Sequence, residues 1–363
     1  MAAEAATSPE PCPTDDALLG RDRELAALLR ALGSRRLVAL TGTVGVGKTR
    51  LALKAAEAWR GESGGRVCRA DLGSLLAPEL FTGTLGYALR VPERPGVSEL
   101  GGLARALGTE PTLLLLDGTE RLRGRGGAAL EYLLDTCPEL TVLCAGRSGP
   151  GSHHEQVQRL EPLAETPAVA LLRLRARQFG AHPTARGGRE HLDALPLCHL
   201  LDRNPLAIVL AASRLVDTPP RQLMAETACP AGLLALAPGV LDPAHAEAGR
   251  RHLPNRTLRS AAEAGHELCT EDERLLWAAL SGVPVGFDLA DAHQACAGVT
   301  LSGTPQSGVS QSGVSLSGQA LEAAWAGLIH CSVLVPYGAG ASRYRLPFLL
   351  RAYGREQARR LKR

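Results

Sequence analysis

Residues 42–49 read Gly-Thr-Val-Gly-Val-Gly-Lys-Thr, a complete G-x4-G-K-S/T octet, and no other stretch limits the fold so strongly. An apolar run, Leu37-Val-Ala-Leu-Thr41, precedes it, and the helix-forming Arg50-Leu-Ala-Leu-Lys-Ala-Ala-Glu-Ala follows. Strand, loop and helix in that order are the context the motif needs. Gly42, Gly45 and Gly47 let the backbone turn successive N–H groups inward on a polyphosphate. The helix starting near Lys48 adds the positive end of its dipole. In this arrangement Lys48 reaches the β- and γ-phosphates and the Thr49 hydroxyl sits on Mg2+. Thr43, Val44, Val46 and Arg50 complete the nucleotide-binding set. Lys occurs only at 48, 54 and 362, which makes a chance match remote.

Composition narrows the rest. A chain of 363 residues, 45% hydrophobic and 21% charged, has the balance of a soluble globular protein of two or three domains. The formal net charge of +3 points to no particular partner. Arg outnumbers Lys 37 to 3, while Asn and Ile occur twice each. That bias has the look of a GC-rich genome, so abundant Arg is not by itself a nucleic-acid footprint. The nine Cys are scattered without a C-x-x-C pair, which argues against a disulfide framework or a zinc site. The N-terminus lacks the basic and apolar regions of a signal peptide, and no apolar run approaches about 18 residues. The expectation is a cytoplasmic protein without a membrane partner.

Along the chain, helices are expected at about 22–32, from the octet to about 60, at 78–90, 97–107 and 126–136. Strands are expected at 37–41, 66–72, 112–117 and 140–145. Alternation of this kind predicts a parallel, three-layer α/β sheet with ligands at the carboxyl ends of its strands. Residues 1–16 read as a disordered segment and 17–164 as the sheet domain. Helical patterns at 166–179, 188–202 and 205–216 predict a helical subdomain over 165–225, with a looser stretch at 217–250. Residues 226–363 read as linker and winged helix: helices at 256–267, 270–281, 287–297 and 319–330, then short strands at 332–336 and 342–346 around a Gly-tipped turn. Ser-Gly recurs every five residues at 302, 307, 312 and 317, a period that fits neither helix nor strand. The segment 298–318 is read as a low-complexity insertion.

Three further groups carry candidate chemistry. Asp117 ends the run Thr112-Leu-Leu-Leu-Leu-Asp117, where a phosphate-loop enzyme needs a carboxylate for Mg2+. Glu120 is placed to orient or deprotonate an attacking water, or is a plain loop carboxylate. Arg147 follows the next strand and either reaches a γ-phosphate or is a strand-end cation. The C-terminal stretch carries Arg343, Arg345, Arg351, Arg355, Arg359, Arg360, Lys362 and Arg363 against the single acid Glu356. Such a stretch could bind DNA phosphates or form a solvated helix face, and no base-reading helix accompanies it.

Five motifs then occur in order: Leu18-Leu-Gly-Arg-Asp-Arg-Glu-Leu25, the octet, Leu113-Leu-Leu-Leu-Asp-Gly-Thr-Glu120, Leu143-Cys-Ala-Gly-Arg147 and Asp202-Arg-Asn-Pro-Leu-Ala-Ile208. Together they resemble the STAND signal-transduction ATPases, close to the NB-ARC-like modules of bacterial AfsR-like and LuxR-type regulators. Arg256-Thr-Leu-Arg259, Glu271-Asp-Glu-Arg-Leu-Leu276 and Tyr344-Arg-Leu-Pro-Phe-Leu-Leu-Arg-Ala-Tyr353 look like the winged helix that follows such modules.

The resemblance implies a slow ATP/ADP switch with Mg2+, closed with ADP and competent with ATP for self-assembly or a protein partner. It implies Gly20 and Arg21 beside adenine and ribose, Asp117 for Mg2+, Arg147 as γ-phosphate sensor and Pro205 against the base. This chain departs from the family at Val44, often Gly or Pro; at Gly118, commonly Asp or Asn; and at Arg203, usually Gly. Leu346-Pro347-Phe348 stands where relatives carry a Met-His-Asp-like triplet. These departures bear on hydrolysis and ADP locking rather than on binding. The sequence stops near 363 without the tetratricopeptide repeats that often follow, so the expectation is action through a partner or a pared-down module. The alternatives are a DNA-binding regulator and a nucleotide-binding scaffold without turnover.

Overall fold

The computed structural model describes residues 18–73, 75, 77–92, 96–108, 110–122, 125–181, 194–239, 257–297, 318–338, 340 and 342–361. The expected N-terminal disorder, residues 188–193 of one expected helix, residues 298–317 of the insertion expected at 298–318, and Lys362 and Arg363 lie outside them. The chain divides into two compact units: Met1–Gly42 with Lys48–Leu160, and Thr43–Gly47 with Glu161–Arg363.

The first unit is a five-stranded, wholly parallel sheet. Its strands are β1 (Leu37–Thr41), β2 (Arg66–Asp71), β3 (Thr112–Asp117), β4 (Leu140–Ala145) and β5 (Glu155–Arg159), in the order β2-β3-β4-β1-β5. Helices α1 (Asp22–Ser34), α2 (Lys48–Ser63), α3 (Phe81–Ala88), α4 (Glu99–Leu107) and α5 (Arg125–Thr136) accompany it. The central strands are apolar on both faces, as a parallel sheet covered by helices requires. Leu37, Ala39, Leu114, Leu116, Val142 and Cys144 share one core with Phe81, Leu85, Leu103 and Leu130. Val38, Leu40, Leu113, Leu115 and Leu143, at the alternate positions, are buried as well. The Arg36 guanidinium donates to the carbonyls of Leu134 and Leu140 at 2.6 and 3.2 Å, tying the end of α5 to the start of β4.

Strand β5 was not anticipated. Glu155-Gln-Val-Gln-Arg159 is polar because the strand lies at the sheet edge, where Val157 is 59% exposed, so hydrophobic patterning carries no sign of it. The four strands expected in the sheet stand within a residue of their bounds, whereas the two expected at 332–336 and 342–346 are cut to 335–336 and 344–345.

The second unit contains helices α6 (Glu165–Phe179), α7 (Ala194–Leu200) and α8 (Pro205–Arg214), then α9 (Pro220–Thr227) and α10 (Pro230–Leu234). The last two replace part of the loose stretch expected over 217–250; both begin with Pro in the first helical turn, where its missing N–H has no helical partner to lose. Helices α11 (Leu258–His266), α12 (Glu271–Leu280), α13 (Leu289–Ala297) and α14 (Gly318–His330) follow. Capping boxes at Thr257–Ser260 and Thr270–Glu273 define the starts of α11 and α12. Strands β6 (Val335–Pro336) and β7 (Tyr344–Arg345) pair antiparallel, and Phe287 bridges Tyr344 on the other side. The final helix, α15 (Phe348–Leu361), packs on α10, α11 and α12.

Trp277 organises this end of the chain. It is fully buried, and its indole N–H donates to the Leu350 carbonyl at 2.8 Å. His266 and Tyr353 surround it, with ring centroids 5.5 and 5.9 Å from the indole. Arg259 grips Glu356 with two bonds of 2.8 Å, joining α11 to α15.

Burial holds the His266 imidazole below its usual pKa, nearby Arg274 pushes the same way, and Glu267 opposes them. A folded-state pKa below the unfolded value means that the unfolded chain binds the proton more readily. The stability contribution is therefore complete above about pH 6.5 and is lost as pH falls through the folded-state value. Thermal denaturation between pH 7.5 and 5 is expected to show this loss, and His266→Phe is expected to flatten it.

Candidate functional site

The octet forms the turn between β1 and α2. Gly42, Gly45 and Gly47 have φ of 151°, 78° and 99°, so the sequence places glycine at each left-handed position of the loop. Lys48 Nζ donates to the Gly42 carbonyl at 2.8 Å, closing the loop's two ends on each other. Thr49 Oγ1 donates to Asp117 Oδ1 at 3.0 Å. A hydroxyl from the first turn of α2 thus meets a carboxylate from the end of β3, the two groups expected to serve Mg2+.

The Asp117 carboxyl is raised above its ordinary range, first by burial and then by the neighbouring Asp71 and Glu120 carboxylates. The Thr49 hydrogen bond and the Arg69 guanidinium, 3.8 Å away, pull it down. An acid so placed gains from a cation. Among the described residues no cluster of three or more His, Cys, Asp or Glu could hold a metal. The donor set nonetheless suits Mg2+, which takes one or two protein ligands and fills its octahedron with phosphate oxygens and water.

Glu120 and Arg147, expected separately, are bound to each other. Glu120 Oε2 accepts the Arg147 backbone N–H at 3.0 Å, and the Arg147 Nε lies 3.8 Å from Oε1. Both are largely buried. Thr119 Oγ1 donates to the Ser148 carbonyl at 3.1 Å, stitching the turn after β3 to the turn after β4. Gly118, at φ 82°, cannot readily take a side chain: an added Cβ would lie 2.9 Å from the Gly73 nitrogen. That backbone constraint accounts for the absence of a second carboxylate after Asp117.

The remaining expected residues are placed as follows. Gly20 is left-handed at φ 65° and precedes Arg21, which is 5% exposed and paired with Glu24 at 2.7 Å. Arg50 is exposed on α2. Pro205 is the first residue of α8. Thr43, Val44 and Val46 are buried.

Sequence reasoning missed Asn204. Its side-chain oxygen caps α8, accepting from Leu206 and Ala207 N–H at 3.0 and 3.3 Å. Its Nδ2 donates to the Val44 carbonyl at 2.8 Å, and Leu206 N–H donates to the Gly45 carbonyl at 3.1 Å. An Asn directly before a Pro is a readable cap signal, but its reach back across 160 residues is not.

A parallel sheet with this octet after its first strand, and a Thr–Asp pair at the ends of the loop and β3, defines a P-loop NTPase fold. A Walker-type ATPase from Pyrococcus abyssi has the same fold, with a TM-score of 0.55 and 16% identity over 93% of this chain and 95% of that one. The chain belongs to the family of the Mycobacterium tuberculosis protein named "Uncharacterized protein Rv0894", to which it is 32% identical over 278 residues, 76% of this chain and 68% of that protein. It is also 34% identical over 280 residues to the M. tuberculosis "Putative HTH-type transcriptional regulator Rv0890c", of whose length it spans 29%. No protein-family model matches the chain.

Two glycines separate the demands of this site from ordinary helix chemistry. A Cβ on Gly45 would stand 2.7 Å from both Asn204 Oδ1 and Leu206 Cβ, whereas one on Gly33 in α1 meets nothing within 4 Å. Gly45→Ala is expected to cost about 1–3 kcal/mol, and Gly33→Ala to add about 0.5–1 kcal/mol, both read by denaturant unfolding.

Proposed function

We propose that this chain is a nucleotide-operated switch of the STAND type, binding Mg-ATP and ADP and turning over slowly or not at all. The observation that carries the reading is the Thr49–Asp117 hydrogen bond beside a loop with all three glycines in turning conformations. Lys48 would exchange its bond to the Gly42 carbonyl for the β- and γ-phosphates. Thr49 and Asp117 would hold Mg2+, which when bound neutralises phosphate charge. Backbone N–H groups of 43–47 would cradle the phosphates, and Gly20, Arg21 and Pro205 would border the base and ribose.

The Glu120–Arg147 bond bears on turnover. A carboxylate whose oxygens already serve the Arg147 backbone and guanidinium is poorly disposed to take a proton from water. Hydrolysis therefore needs this pair to part, as when Arg147 turns toward a γ-phosphate. That requirement supports a slow enzyme.

The helices α11–α14 with the β6–β7 hairpin are read as a winged helix, and the regulators among its relatives support a role in transcriptional control through a protein partner or self-assembly. Direct DNA contact by the basic C-terminal stretch is not favoured. Arg345 is held by Asp202, Arg355 by the Ser281 carbonyl, Arg351 by the Val283 carbonyl and Arg360 by Glu356. Cations engaged this way contribute little to counterion release.

Denaturing freshly purified protein and identifying the released nucleotide by ion-exchange chromatography tests the reading. Near-stoichiometric ADP that disappears in Lys48→Ala is expected; a wild-type chain that retains none and takes up no Mg-ATP would overturn it. Glu120→Gln is expected to lower any turnover at least tenfold, and an unchanged rate would assign the chain to the scaffold class.

A further inference from the structure

The turn between α7 and α8 makes two grips at once. Asp202 and Arg203 are both left-handed, at φ 55° and 53°, a conformation that costs free energy in residues with side chains. Neighbours hold them there. The Asp202 carboxylate accepts from Arg345 Nη1 at 3.1 and 2.9 Å and from the Phe348 N–H at 2.7 Å. Arg203 N–H donates to the Cys198 carbonyl at 2.8 Å, and its own carbonyl accepts from Leu163 N–H at 3.2 Å. The next residue is Asn204, which grips the Val44 carbonyl while Leu206 N–H grips that of Gly45.

We propose that Asp202-Arg203-Asn204 is a relay that positions the phosphate loop according to the state of the C-terminal hairpin. Its input is Arg345 of β7 with the Phe348 N–H at the start of α15; its output is the pair of carbonyls on Val44 and Gly45. A stretch with two strained residues and a cap has little freedom to deform internally, so a shift at Asp202 is passed to Asn204 rather than absorbed. Release of Arg345 leaves Asp202 with the Phe348 N–H alone, so the turn shifts as a unit and its hold on the loop loosens. Asn204 and Asp202 are thus positioning residues, acting on phosphate binding through the loop backbone. The contact chain stands apart from the nucleotide-switch reading, but its effect on nucleotide rests on it.

Hydrogen–deuterium exchange on the full chain without nucleotide is the test, because Leu206 N–H is itself part of the grip. Arg345→Ala is expected to speed exchange at Leu206 and across 43–47 by about fivefold or more, while β1 amides stay protected. Arg345→Lys is expected to restore part of the protection. Asn204→Ala is expected to reproduce the effect, and adding Arg345→Ala to it to change little further, since both act along one path. Wild-type exchange at these amides in Arg345→Ala, or multiplied effects in the double variant, would overturn the relay. If Arg345→Ala exposes Trp277, Asp202→Asn, which keeps an acceptor for the Phe348 N–H and removes the charge that holds Arg345, decides: faster exchange across 43–47 with Trp277 buried supports the relay, and wild-type exchange overturns it. ADP release is expected to follow the same order of variants. Protection that responds to Arg345 in a chain that binds no nucleotide would sink the switch reading alone; binding that depends on Lys48 in a chain whose loop ignores Arg345 would sink the relay alone.

Discussion

One amide side chain holds together what this structure needs for phosphate chemistry. A glycine-rich loop has backbone groups in orientations that no helix or strand ladder satisfies, and a buried carbonyl without a donor is costly. Asn204 answers this from a distance: its oxygen completes α8, and its nitrogen takes the Val44 carbonyl. An Asp in its place would keep the cap and lose the donor; a Ser would be too short to bridge both. The geometry therefore asks for Asn, in a chain that uses this residue only twice.

Electrostatics divide along similar lines. In the sheet unit, acids gather at the carboxyl edge, where burial and the neighbouring carboxylates raise the Asp117 pKa and the Thr49 hydrogen bond and Arg69 only partly offset them. Such an edge is stabilised by a cation and by donors arriving with a ligand. At the C-terminal end the opposite holds, because each of several arginines is consumed by a helix carbonyl or a carboxylate. The Glu356 carboxyl is drawn below its ordinary range, chiefly by its hydrogen bond from Arg259, with Arg360 adding to the pull. Several of these arginines thus act as structural staples between elements.

Much of the fold was legible because parallel strands buried on both faces appear as short apolar runs, and Leu37–Thr41, Thr112–Asp117 and Leu140–Ala145 have no other plausible use. The polar edge strand Glu155–Arg159 was illegible, since an edge strand is specified by backbone pairing to β1 and not by side-chain burial. Helices α9 and α10 were obscured by Pro219, Pro220 and Pro230, residues that start helices as readily as they stop them.

What the sequence determined by itself is local chemistry. The three glycines, Lys48 and Thr49 specify a turn by the conformations they allow, and Asp117 is put at a strand end by the leucines before it. Tertiary structure decided which groups meet. Thr49 finds Asp117 across 68 residues, Glu120 is committed to Arg147, Asn204 to Val44 and Asp202 to Arg345. Each pairing joins segments far apart in the chain, and such distances are set by how sheet and helices pack, which no local pattern encodes.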